Sequence, residues 1–243
     1  MRQETALDAG LAAYMERYGR DWTTPERVRE YVDREDSQGP ERYDGLNYLI
    51  ALVPFERTDR VQILEIGGGQ ATLAAALLDQ FPAGQATELD VSEPMRDLAL
   101  ERMVRFGPRF EYAVGDFVDG VMVGDIPTAF DVVISTRAIH HLPTPRKADL
   151  YRDIFSHLNN GGCFFNLDSV APGSPELEAI YRDASARLRA DRPNPQRAER
   201  PALPGHYYDP VETHLASLGA AGFEPVDVFW KQMNMTLIGG YKP

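Results

Sequence analysis

Val61-Gln-Ile-Leu-Glu-Ile-Gly-Gly-Gly-Gln-Ala71 is the stretch that decides the fold. An apolar strand-like run ends abruptly in three glycines. Thr72 to Phe81 follows with Leu73, Ala76, Leu77 and Phe81 on one side of a helix. Glycines at such a junction let the backbone turn tightly and approach a ligand closely. The free N–H groups at the helix start suit an anionic group. The dinucleotide pattern G-x-G-x-x-G fails, because Thr72 stands at the sixth position counted from Gly67. No Lys follows the glycines, as a phosphate-binding P-loop would require.

Outward from this unit, short apolar runs alternate with helical stretches. Gln85–Asp90, Arg109–Val114, Phe130–Ser135 and Cys163–Asp168 read as further strands. Ser92 reads as a helix N-cap, with Pro94 in the first turn. Leu150–Leu158 reads as a helix stopped by Asn159-Asn160-Gly161-Gly162. Such alternation implies βαβ units and a parallel sheet. The C-terminal end differs: Pro225–Lys231 and Met233–Ile238 have almost nothing between them, so they must pair as an antiparallel hairpin. The expected architecture is α/β, a Rossmann-like doubly wound sheet, mostly parallel, with an antiparallel C-terminal edge hairpin. One domain is expected over 1–243: an N-terminal helical cap (1–58), a cofactor-binding core (59–170), an insert or lid (171–223) and the hairpin (224–243). Thr5–Tyr18 and Pro25–Arg34 carry helical character within the cap.

The chain has 243 residues, with 37 Asp+Glu against 25 Lys+Arg, a formal net charge of −12. That balance argues against a nucleic-acid-coating protein, which needs Lys and Arg in excess. No apolar run approaches the roughly 18–20 residues of a membrane span. The start, Met1-Arg2-Gln3-Glu4-Thr5, has no apolar signal-like core, so a cytoplasmic location is expected. Cys163 is the single cysteine and cannot form an internal disulfide.

Asp90 closes the second strand, 23 residues after Gly67, where an acid accepts hydrogen bonds from ribose hydroxyls in doubly wound folds. Asp116, in Gly115-Asp116-Phe117, follows the third strand on the same sheet edge. A glycine turn and two acids at successive strand ends point to a nucleoside ligand at the topological switch point. Together with Leu64-Glu65-Ile66-Gly67-Gly68-Gly69, Glu88-Leu-Asp-Val-Ser-Glu-Pro-Met95 and Phe130-Asp-Val-Val-Ile-Ser-Thr-Arg-Ala-Ile-His-His-Leu142, these motifs resemble class I S-adenosylmethionine-dependent methyltransferases, over roughly Val61 to Asp168. The resemblance implies a seven-stranded sheet with the last strand inserted antiparallel, and S-adenosylmethionine as cofactor. It implies that Gly67 and Gly69 pass close to the cofactor's methionine part and that Asp90 holds the ribose hydroxyls. Val91 and Met95 would pack near adenine, and Asp116 would bond the adenine amino group with Phe117 beside it. Glu65, Gly68 and Ser135 complete the implied cofactor set. Where the family often has a third glycine, this chain has Ala71, and cofactor binding is expected to survive the added methyl. Polyamine synthases share Ile-Gly-Gly-Gly, but Gln70 and Thr136-Arg137 stand where their acids are expected.

Methyl transfer from a sulfonium is an in-line displacement, so the protein mainly aligns acceptor and methyl group. The loop after the fourth strand faces the methyl group in this family. Its His140 and His141 are the candidate bases. Arg137 could bind an acceptor carboxylate or phosphate through paired hydrogen bonds. Tyr14, His206 and Tyr207 complete the expected acceptor set. Between Tyr181 and Tyr208, six arginines oppose three acids, a local +3 in an acidic chain; this segment reads as a solvated helix face or as a lid over the acceptor. No metal is called for by the sequence. The expected function is methyl transfer to a small-molecule acceptor by a monomer or homodimer. The alternatives are a tRNA-directed or cofactor-modifying enzyme of the same fold, or a non-catalytic S-adenosylmethionine-binding protein.

Overall fold

The structure, a computed structural model, describes residues 22–36, 44–121, 126–127, 129–190 and 205–243. Its centre is a seven-stranded sheet. The strands are β1 (Gln62–Ile66), β2 (Gln85–Asp90), β3 (Phe110–Val114), β4 (Phe130–Thr136), β5 (Leu158–Ser169), β6 (Val226–Gln232) and β7 (Met235–Tyr241), in the order β3-β2-β1-β4-β5-β7-β6. Strands β1 to β5 pair in parallel. β7 inserts antiparallel between β5 and β6, as the resemblance implies, and pairs with β6 as the expected hairpin. The order reverses between β1 and β4, and the carboxyl ends of these strands open there into a crevice.

The helices are α1 (Pro25–Asp36), α2 (Asp44–Ala51), α3 (Thr72–Gln80), α4 (Glu93–Met103), α5 (Thr144–His157), α6 (Pro175–Ala190) and α7 (Val211–Ala221). Alternate strand residues point to opposite faces. Ile63, Val132, Ile134 and Phe165 therefore pack with Leu73, Leu77 and Phe81 of α3 on one face. Leu64, Val133 and Phe164 pack with Tyr151 and Ile154 of α5 and Leu218 of α7 on the other. Two apolar layers sandwich the sheet and fix the strand ends that carry the site. No helix among the described residues is long and apolar enough to cross a membrane.

Three local expectations change. Helix α5 starts at Thr144, six residues before the sequence places it, with Pro145 in its first turn. Met233 is not the first residue of the last strand. It adopts φ 55° in the two-residue turn before β7, which runs on to Tyr241 through Gly239 and Gly240. A Cβ on Gly239 would lie 2.1 Å from the Phe164 carbonyl oxygen, so β7 can approach β5 here because the side chain is missing. The stretch 171–223 contains two helices, and α7 packs on α5 and the sheet as a flanking helix of the fold. The expected helix Thr5–Tyr18 and the arginines at 192, 197 and 200 lie outside the described residues.

Candidate cofactor and acceptor site

The turn after β1 alternates through left-handed backbone at Gly67 (φ 66°), Gly69 (φ 64°) and Ala71 (φ 56°). A Cβ on Gly67 would meet the Ala138 methyl at 2.3 Å, so this glycine lets the turn lie against the loop after β4. Carboxylates hold the turn open. The Gly68 N–H donates to Glu88 Oε1 at 2.7 Å, and the Gly69 N–H donates to Asp90 Oδ2 at 3.1 Å. The Ala74 N–H, in the first turn of α3, donates to Glu65 Oε2 at 2.8 Å. Asp90 Oδ1 accepts from the Ser92 N–H at 2.9 Å, and Ser92 Oγ in turn caps α4 through the Met95 N–H.

Burial strains these acids electrostatically. It pushes the Glu65 carboxyl up to about 7, and the neighbouring Asp90 charge adds to the shift. Glu88 is held well above the usual carboxylate range by burial and by the charges of Glu65 and Asp90. Asp90 is pushed up to about 6 by burial, against the lowering effect of the N–H groups it accepts.

The crevice forms a cleft enclosing about 760 Å³ including its open mouth. Gly67, Gly68, Gly69, Gln70 and Thr72 form one side. Asp90, Val91, Met95 and Phe117 line one end, and Thr136, Arg137, Ala138 and His141 the other. Trp22 and Tyr31 close over it, with their rings edge to face at 4.9 Å. The Trp22 carbonyl accepts from Ser92 Oγ at 2.6 Å.

Nine residues singled out from sequence thus meet in one cleft: Gly67, Gly68, Gly69, Asp90, Val91, Met95, Phe117, Arg137 and His141. Glu65 and Ser135 stand behind its wall, buried; Ser135 Oγ donates to the Ile66 carbonyl at 2.8 Å and ties β4 to β1. Asp116 accepts from the Val118 N–H at 3.0 Å and caps the turn that carries Phe117 into the cleft. Tyr14 lies outside the described residues.

His140 and His141 sit on a single 3₁₀ turn, Ile139–His141. Asp168, near the end of β5, accepts the His140 N–H at 2.9 Å through Oδ2, and its Oδ1 lies 2.6 Å from His140 Nδ1. Burial opposes the Asp168 charge. The His140 imidazole and hydrogen bonds from His140 and the Ser169 N–H outweigh it and hold the carboxyl at about 2. His141 Nδ1 lies 2.8 Å from the Gly205 carbonyl. Burial, with the neighbouring His140 and His206, pushes His141 down to about 3, so its ring is neutral.

The strap 205–209 runs over this turn. The Tyr207 N–H donates to the His140 carbonyl at 2.7 Å. The buried Lys147 ammonium donates to the Tyr207 carbonyl and, at 2.6 Å, to Asp209 Oδ2. Thr144 Oγ1 donates to Asp209 Oδ1 at 2.5 Å, and the Ala171 N–H donates to the Asp209 carbonyl at 2.9 Å. His206 stacks on His140 with ring centroids 5.0 Å apart. Tyr207 contributes its backbone to the strap while its side chain is exposed.

Sequence reasoning missed Glu88, Asp168, the pocket wall Trp22–Tyr31 and the Lys147–Asp209 anchor. Asp168 was within reach: it closes β5 on the edge that already yielded Asp90 and Asp116. Glu88 was signalled by an acid two residues before Asp90, hence on the same face of a buried strand. Trp22 and the anchor have no local signature.

A family model described as a methyltransferase domain matches residues 63–162, the stretch that builds the glycine turn, β2, β4 and the histidine loop. This stretch is similar to a methyltransferase domain. The release factor glutamine methyltransferase of Koribacter versatilis is 26% identical over 125 residues, covering 51% of this chain and 40% of that protein. The carboxy-S-adenosyl-L-methionine synthase of Campylobacter curvus is 23% identical over 192 residues, covering 75% of this chain and 78% of its own length. In fold, the chain is similar to human N-acetylserotonin methyltransferase in complex with SAM, with a TM-score of 0.55 at 16% identity, covering 82% of this chain and 52% of that one. The chain thus spans about half the length of that structure and less than half of the release factor enzyme.

Proposed function

We propose that this protein transfers the methyl group of S-adenosylmethionine to a small-molecule acceptor. The observation that carries the reading is the convergence of the glycine turn, Asp90 and the histidine loop on one cleft. The residues fit the cofactor. The backbone of Gly67–Gly69 lines the cleft edge, and Asp90 offers a carboxylate at the strand end. Asp90 would hold the ribose hydroxyls. Val91, Met95 and Phe117 would flank the adenine. Glu65, Glu88 and Ser135 would act through the turn they hold, as positioning residues, and Asp116 through the placement of Phe117.

When bound, the cofactor supplies an electrophilic methyl group on a sulfonium. The chain's own part is alignment: Trp22 and Tyr31 exclude water over the cleft, and Arg137 and His141 meet the acceptor at its other end. His140, oriented by Asp168, stands behind His141. The proton of a hydroxyl acceptor leaves toward this loop. The likeness in fold to N-acetylserotonin methyltransferase and in sequence to carboxy-S-adenosyl-L-methionine synthase supports a small acceptor. The second reading, modification of the cofactor itself, rests on the length of the synthase likeness and on Arg137 at the cleft, whose guanidinium suits a carboxylate. Mass spectrometry of the nucleoside product separates the two readings.

Calorimetry tests the cofactor reading. S-adenosylhomocysteine binds tightly and NAD does not, and Asp90→Ala weakens binding at least tenfold, about 1.4 kcal/mol. Binding of NAD instead, or an unchanged dissociation constant in the variant, contradicts it.

A further inference from the structure

We propose that His140, His141 and His206 form a three-imidazole site for a zinc-like divalent cation at the acceptor end of the cleft. Each residue offers one ring nitrogen, and the three nitrogens lie within 4.8 Å of one another. The ring centroids make a compact triangle with sides of 4.3, 5.0 and 4.7 Å. Tetrahedral ligation at about 2.0–2.1 Å per bond places ligand nitrogens about 3.3 Å apart. The nitrogens therefore need to draw in by at most about 1.5 Å to take up that geometry.

The surroundings of two of the rings point to ligation. His140 Nδ1 is held by the Asp168 carboxylate at 2.6 Å, and His141 Nδ1 faces the Gly205 carbonyl at 2.8 Å. A carboxylate or carbonyl on one ring nitrogen fixes the tautomer, orients the ring and leaves Nε2 as the donor. This is the arrangement by which metal-ligating histidines are supported. Asp168 also supplies negative charge next to the cation. The third ligand is delivered by the strap, whose backbone is fixed on both sides of His206, at Gly205 by His141 and at Tyr207 by His140 and Lys147.

Three imidazoles with no thiolate select a borderline first-row cation over magnesium or calcium, which prefer oxygen ligands. His141 also lines the cleft, so the remaining coordination position opens toward the acceptor. Three protein ligands with one open position is the pattern of a catalytic rather than a structural zinc. No spacing announces this site, because His206 lies 65 residues beyond His141 and the strap alone brings it close. The inference goes beyond the methyl-transfer reading and does not depend on it.

The test uses the full chain, freed of any polyhistidine tag and stripped by chelator, with Co²⁺ as the probe. The expected result is one equivalent of cobalt with the visible ligand-field bands of a four- or five-coordinate site, displaced by Zn²⁺. His206→Ala, a change on a partly exposed ring, should weaken cobalt binding at least tenfold with unchanged circular dichroism. Asp168→Asn should weaken it by about 10-fold or more, because the ring it orients loses its carboxylate. If Asp168→Asn does not fold, His206→Ala decides alone. Absence of the bands, or cobalt binding by His206→Ala equal to that of the unmodified chain, overturns the proposal. S-adenosylhomocysteine calorimetry on the stripped protein reads the cofactor site separately.

Discussion

The two ends of the cleft are built on different principles. At the cofactor end, the chain from Glu65 to Ser92 supplies nearly everything, and backbone N–H groups donate to buried carboxylates of neighbouring strands. At the acceptor end, three distant segments meet: Arg137–His141, Asp168 and the strap 205–209. There the decisive contacts are imidazole rings and one buried ammonium–carboxylate pair. The first end is a local loop under electrostatic strain; the second is a non-local assembly that one element can unfasten.

The largest effect should come from unfastening the acceptor end. Lys147→Met leaves Asp209 without its buried ammonium, and loss of one partner of such a pair costs about 3 kcal/mol or more. Urea unfolding should show that loss, while S-adenosylhomocysteine affinity stays within about twofold. A parallel loss of cofactor affinity would erase the distinction between the two ends.

An intermediate effect should come from the acids of the cofactor end. Glu65 and Asp90 bind protons in the folded chain at pH values where the unfolded chain has released them, and Glu88 does so over a wider range. Their contribution is therefore favourable at low pH and is lost as pH rises from near 4 toward 6 to 7. Asp168 acts in the opposite sense, and its contribution is lost as pH falls from near 4 toward 2. Glu88→Gln keeps an oxygen for the Gly68 N–H and removes a buried charge. It should raise stability at pH 8 by on the order of 2 kcal/mol and leave pH 4.5 nearly unchanged. The same pH slope in variant and unmodified chain would remove the three acids as the source of strain.

The smallest effect concerns Ala71, which holds φ 56° and ψ 36° at the start of α3 with its methyl buried. Left-handed backbone costs an alanine about 1–2 kcal/mol, and glycine adopts it freely at a greater entropic cost of folding. Ala71→Gly should stabilise by about 1 kcal/mol, read as a raised melting temperature. A lowered one would mean that the buried methyl outweighs the backbone.

The same contrast explains what could be read from the sequence. β2 was legible to the residue, and the strand-end acids located the crevice, because both follow from period and position. Gly67, Asp90 and Met95 fall within the consecutive stretch β1-α3-β2-α4, so their meeting needs no knowledge of the rest of the fold. His206 and Asp209 meet α5 and the histidine turn through contacts that span about 65 residues, and no spacing announces them. Read from sequence, the last strand stops at Ile238, whereas β7 runs on through Gly239, whose missing side chain permits the close approach to β5. The buried Lys147 lies on a helix that the sequence started too late, so its anchor went unseen.

The central claim is that one cleft receives the cofactor at its local end and the acceptor at its assembled end. A crystal structure with S-adenosylhomocysteine tests it most directly. The account predicts the ribose at Asp90, the adenine between Val91, Met95 and Phe117, and the sulfur turned toward Arg137 and His141. Density outside this cleft, or a ribose placed away from Asp90, would contradict it.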